Sequence, residues 1–175
     1  MGDGMIDDKV CDVAAERRLV GRLETFWSAC RPTPDGLPEI GALLARLPAE
    51  LDTEDQAQCV VLAPGRDPSV TVEAGVEWTY RFLGEGLAHG AGLRPDGTPQ
   101  PSTGRDSGAS PHSLLGLLES KLPELYRTGE PVRLQGADRI LDKLVLLRAV
   151  ALPLGDGRAP SPAGCVAAAN MKESA

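Results

Sequence analysis

Apolar residues recur at helical spacing over the first fifty positions, then give way to runs and strict alternation. From Asp7 to Cys30, Val10, Val13, Val20, Leu23, Trp27 and Cys30 return at intervals of three, four and seven, with Glu16, Arg17, Arg18, Arg22 and Glu24 on other faces; this predicts one long amphipathic helix. Gly21 is its internal weak point, and Pro32 and Pro34 end it because proline lacks the amide donor of a continuing turn. Ile40, Leu43, Leu44 and Leu47 predict a second helix from Leu37 to Leu47, stopped by Pro48, with the acidic stretch Glu50 to Asp55 as a loop.

After residue 57 the pattern turns to β. Cys59-Val60-Val61-Leu62 reads as a buried strand ended by Pro64-Gly65, and Val70 to Glu73 as a second β segment. Glu77 to Leu83 alternates, which would put Trp78, Tyr80 and Phe82 on one face and Thr79, Arg81 and Leu83 on the other. Gly84 and Gly86 end it, with no signal for a helix after them. Residues 91–111 are rich in glycine and proline and read as a mobile loop or flap. Ser110, as N-cap before Pro111, opens a helix to Arg127 with a stripe of Leu114, Leu115, Leu118, Leu122 and Leu125, which Pro123 is expected to kink or divide. Val132 to Leu134 is a short strand, Lys143 to Pro153 a long central one, and Gly164 to Asn170 its antiparallel partner. The pattern shows no internal repeat and predicts a single α+β domain.

Composition narrows the class. Arginine outnumbers lysine 14 to 4 and Asn170 is the sole asparagine, the bias of a GC-rich, bacterial type of coding sequence. The net charge of −7 argues against a nucleic-acid binder, which needs a basic field to displace counterions. The acidity is concentrated in residues 1–55, which carry 12 acids and 6 bases and so suit either a basic partner or a solvated helix face. Cys11, Cys30, Cys59 and Cys165 have no pair at zinc-ligand spacing and read as reduced, mostly buried thiols. The acidic amino terminus lacks the apolar core of a signal peptide, and the run from Leu144 to Leu154 is broken by Arg148 and too short to span a bilayer. A cytoplasmic protein that binds neither membrane nor nucleic acid is the expectation.

The order of motifs resembles a family. A helix with Trp27 near its end is followed by Leu43-Leu44-Ala45-Arg46-Leu47-Pro48, strands, and the aromatic strand Tyr80-Arg81-Phe82-Leu83-Gly84. Thr103-Gly104-Arg105-Asp106, a leucine-rich helix, Gly129-Glu130-Pro131 and a closing hairpin around Leu152-Pro153-Leu154-Gly155-Asp156-Gly157 complete the series. Over about residues 22–171 this resembles a branch of small bacterial PAS-like proteins, with residues 1–21 as a helical extension and Leu93 to Ser102 as an insertion. The resemblance implies a five-stranded antiparallel sheet with helices on one side. Nothing in the chain matches a kinase, cyclase or DNA-binding output domain.

Tests for chemistry return mostly absences. His89 and His112 are the only imidazoles; they read as ordinary polar residues or, for His89, as a catalytic or metal-binding group. No Gly-x-Ser-x-Gly elbow or phosphate-binding glycine motif is present. Relatives that bind flavin covalently carry a cysteine before Arg-Phe-Leu, where this chain has Tyr80, and haem lacks a clear axial ligand, so neither cofactor is expected. Trp78, Tyr80 and Phe82 either form the core or line a ligand pocket. Arg81 would hold a carboxylate ligand or pair with Glu77 or Glu85, and Arg105 would tie its loop or meet the ligand. Val13, Val20, Leu23 and Trp27 either join two copies of the chain or pack on its own sheet.

The resulting expectation is a stand-alone sensory or regulatory module that binds a small molecule or a partner protein through Trp78, Tyr80, Arg81, Phe82, His89 and Arg105 and catalyses nothing. The alternatives are a small enzyme using His89 with loop carboxylates, and a purely protein-interacting domain with a filled core.

Overall fold

The computed structural model of the chain describes residues 18–64, 78–90, 114–140, 143–158 and 161–173. Two helices, α1 (Leu19–Cys30) and α2 (Ile40–Glu50), and a single turn, α3 (Thr53–Gln56), precede β1 (Cys59–Pro64) and β2 (Trp78–Leu83). Then come α4 (Glu85–Gly90), α5 (Leu114–Thr128), β3 (Val132–Ile140), β4 (Lys143–Leu154) and β5 (Gly164–Glu173). The strands form one sheet in the order β2-β1-β5-β4-β3, and every pairing is antiparallel.

The α+β class is as the residue pattern predicts and the five-stranded antiparallel sheet is as the resemblance implies, but helices on one side are not. Two separate apolar clusters flank the sheet. Val60, Leu62, Ala149, Ala151, Cys165 and Ala167 point to α4 and α5, where Leu118, Leu122 and Leu125 cover them. The alternate residues Cys59, Val61, Val150, Leu152, Val166 and Ala168 point to α1 and α2, covered by Leu23, Trp27, Leu43 and Leu47. Strand residues alternate between faces, so β1, β4 and β5 are apolar on both sides, as a sheet with two helical layers requires. The small residues Ala167, Ala168 and Ala169 in β5 let both layers approach the middle of the sheet.

Several boundaries differ from the sequence pattern for identifiable reasons. α2 begins at Ile40 because Glu39 caps it, its carboxylate accepting from the amides of Gly41 and Ala42 at 3.1 Å. Pro48 does not stop α2; it lies in the last turn, and the amide of Leu51 still bonds to the Leu47 carbonyl at 3.0 Å. Asp52 caps α3 by accepting from the Asp55 amide at 2.8 Å, so part of the expected acidic loop is helical. Pro123 does not divide α5, since its exposed position leaves the lost hydrogen bond on the solvent side. β3 continues to Ile140 rather than ending near Leu134, because it pairs residue by residue with the long apolar β4 from Val132–Ala151 to Ile140–Lys143.

A helical turn, α4, follows β2 where only a glycine turn was expected. Gly84 makes this possible. A Cβ there would lie 2.3 Å from the Gln56 carbonyl oxygen and 2.4 Å from that of Ala57, so only glycine lets β2 turn into α4 against the end of α3. The expected helical stretch from Asp7 to Arg17, the β segment Val70 to Glu73 and the loop 91–111 lie outside the described residues.

Candidate functional site

The aromatic strand does not build the expected pocket. Val61 pairs with Phe82 and Leu62 with Tyr80, so Arg81 is an extra residue on β2, a β-bulge. One inserted residue reverses the side-chain phase. Tyr80 therefore packs on the α5 side with Val60 and Leu62, whereas Phe82 packs on the α1–α2 side with Val61. The shared face predicted for Trp78, Tyr80 and Phe82 is corrected by this register: Tyr80 and Phe82 face opposite ways. Of Trp78 the backbone alone is described, as the first residue of β2. Arg81 is exposed at the bulge, and His89 is exposed on α4. Arg105 and Val13 lie outside the described residues. Leu23 and Trp27 are buried against the chain's own sheet, and Val20 packs partly buried beside them.

A concave site lies elsewhere, between α1 and the β3–β4–β5 side of the sheet. On the α1 face the rows of cross-strand partners run apolar through Leu152–Val166 and Val150–Ala168. The next row is polar: Gln135 pairs with Arg148, and Arg148 with Asn170. Directly opposed residues in antiparallel strands project to the same face, so these three groups stand side by side where the apolar pattern would continue. Arg133, two residues from Gln135 on β3, extends the group and bonds Glu24 of α1 at 2.9 Å. With Arg18, Val20 and Gly21 as the helical wall, these residues line a groove of about 350 Å³.

Its electrostatics oppose those of the whole chain. Arg18, Arg133 and Arg148 carry three positive charges against the single carboxylate of Glu24, in a chain of net charge −7. Among the described residues no carboxylate reaches the guanidinium of Arg148 or Arg18. The amides of Gln135 and Asn170 add donors and acceptors within the same row. Such a set suits an anion that takes a forked guanidinium contact and further amide hydrogen bonds.

The rest of this face is rigidly held. Trp27 donates its indole N–H to the Pro153 carbonyl at 2.8 Å, and Arg31 lies over the Trp27 ring at 4.9 Å. Arg22 of α1 bridges to Asp55 at 2.5 Å. Nucleophilic chemistry has little to work with among the described residues. Burial pushes the Cys59 thiol up to about 12, helped by the charge of Asp55, and burial pushes Cys165 up to about 12 against the lowering effect of a backbone hydrogen bond from Leu62. Burial likewise raises Cys30, ahead of the opposing charge of Arg46. Among the described residues no three of His, Cys, Asp and Glu gather as a metal site, and no helix is long and apolar enough to cross a membrane.

Of the groove residues the sequence singles out Val20, as a candidate contact between copies, and none of the polar ones, although two signals for these are present. Arg148 interrupts the apolar run of β4 at a position in phase with Val150 and Leu152, and Asn170 is the chain's sole asparagine. Only the strand register brings them together. Compared with known proteins, the sequence matches no family model and no curated relative.

Proposed function

We propose that the chain is a regulatory module of the PAS-like type, acting in the cytoplasm, that binds an anionic effector in the groove between α1 and β3–β4–β5 and performs no catalysis. The polar row Gln135–Arg148–Asn170 in an otherwise apolar face carries this reading. A central strand gains nothing in packing from an arginine at that position, whereas a ligand gains a guanidinium between two amides. The PAS-like assignment draws support from the element order: helices, a first pair of strands, the leucine-rich helix, then three antiparallel strands. The effector would bias the position of α1, whose residues form one wall of the groove, and so shift the population of states offered to a partner protein. The long amino-terminal helix belongs to the same reading.

Native mass spectrometry of the purified chain, alone and with millimolar phosphate monoesters and small dicarboxylates, tests it. The wild type is expected to retain one such anion, and Arg148→Gln to lose it by about tenfold in affinity, the effect of one charge-assisted hydrogen bond. Binding unchanged by Arg148→Gln, or absent from the wild type, would refute the groove as the site.

A further inference from the structure

Two contacts fix α1 against β4. Trp27 bonds the Pro153 carbonyl, and Glu24, one turn earlier on the helix, bonds Arg133, whose strand partner is Val150. Helix and strand therefore run in the same direction. From Glu24 back to Arg18 the helix rises about 9 Å, and from Val150 back to Arg148 the strand runs about 7 Å. Arg18 on the helical wall and Arg148 on the floor thus stand at nearly the same level of the groove, and the Glu24–Arg133 pair stands farther along it.

The two ends differ in the contacts they leave open. At the first, neither guanidinium has a carboxylate partner among the described residues, and Gln135 and Asn170 flank Arg148 on the neighbouring strands. At the second, Glu24 engages Arg133 through Oε1 at 2.9 Å, which leaves Oε2 as an acceptor. A single carboxylate is matched by one guanidinium fork and would leave the other arginine without a partner. A phosphate monoester carries about two negative charges on one group, with three acceptor oxygens, and takes both forks and an amide N–H besides. A dicarboxylate would have to lay its second charge against Glu24, whereas hydroxyl groups donate to Oε2 and accept from Arg133.

We propose that the effector is a phosphate monoester of a small polyhydroxylated carbon chain, held with its phosphoryl group between Arg18 and Arg148 and its hydroxyls at the Glu24–Arg133 end. A groove of about 350 Å³ is at the small end of ligand sites, as such a molecule requires. The phosphoryl group then ties the start of α1 to β4, and Glu24 makes the site select against a second anionic group. This rests on the groove being the binding site.

Isothermal titration calorimetry of the full-length chain at low salt and about pH 7.5, where phosphate monoesters are dianions, tests it with glycerol phosphate, inorganic phosphate and succinate. Glycerol phosphate is expected to bind about tenfold more tightly than succinate and about fivefold more tightly than inorganic phosphate. Arg18→Gln and Arg148→Gln should each weaken it by about tenfold. Glu24→Gln should remove the advantage over inorganic phosphate and narrow the gap to succinate, and because both are ratios between ligands on one variant, the folded fraction cancels. Succinate bound as tightly as glycerol phosphate, yet weakened by Arg148→Gln, overturns the phosphate monoester and leaves the groove standing as an anion site. A preference unmoved by Glu24→Gln likewise overturns the placement of the hydroxyls. Binding of none of these probes, or binding indifferent to Arg148→Gln, refutes the groove itself.

Discussion

The indole of Trp27 is hydrogen-bonded to the main chain of Pro153, 126 residues further along, and this contact sets where α1 lies on the sheet. β3 begins at the Val132–Ala151 pair, so the Pro153 carbonyl lies beyond the reach of that strand, and the indole N–H satisfies it. Trp27→Phe keeps most of the apolar area but leaves a buried carbonyl without its donor. It is expected to cost about 1–3 kcal/mol. Urea unfolding measures this, and an unchanged midpoint would show that the bond does not position α1.

Gly84 is fixed by close approach to the end of α3. A methyl group there would meet two backbone carbonyl oxygens, which cannot turn aside as a side chain can. Gly84→Ala is expected to destabilise by about 1–3 kcal/mol, the range for overpacking. The loss should appear first as faster amide exchange at Leu87 and Ala88, whose amides bond to Ala57 and Gly84. Equal stability of the variant would contradict the turn from β2 into α4.

These elements show what a linear pattern can carry. The helical stripe Leu114–Leu125 and the doubly apolar β4 were legible because burial on a fixed side imposes a period on the sequence. The bulge at Arg81 was not legible. Its effect is to reverse the phase of an apparently perfect alternation, and the cause is a pairing with β1 that no local signal announces. The groove was hidden for the same reason: Gln135, Arg148 and Asn170 lie on three strands, and only the register joins them. Helices on both faces could have been anticipated from β1 and β4, whose apolar residues occupy both sides.

The buried thiols make a prediction about alkaline pH. Cys59 and Cys165 titrate at about 12 in the fold against an ordinary 9.0, so the folded chain holds its protons where the unfolded chain has lost them. Below about pH 9 the neutral thiols leave stability unaffected; as pH rises from about 9 towards 12 each should subtract up to about 1.4 kcal/mol per pH unit. Unfolding midpoints of the wild type and of Cys59→Ala with Cys165→Ala, compared across pH 8 to 11, check this through the difference in slope. Parallel curves would show that the thiols are not desolvated.

Arg148 provides a test of function against structure. Its guanidinium is exposed and has no carboxylate partner among the described residues, so Arg148→Gln should change folding stability by less than about 0.5 kcal/mol. Loss of binding without loss of stability is the signature of a side chain retained for a ligand. A thermal melt lowered by several degrees would instead make Arg148 a structural residue.

The central claim is that anions meet this protein at the α1–β4 groove and not at the aromatic strand. A backbone amide NMR titration with phosphate monoesters and small dicarboxylates reads both places at once. The account predicts shifts concentrated at Arg133, Gln135, Arg148 and Asn170, with Tyr80, Arg81 and His89 unmoved. Shifts centred on β2 and α4, or none at any position, would contradict it.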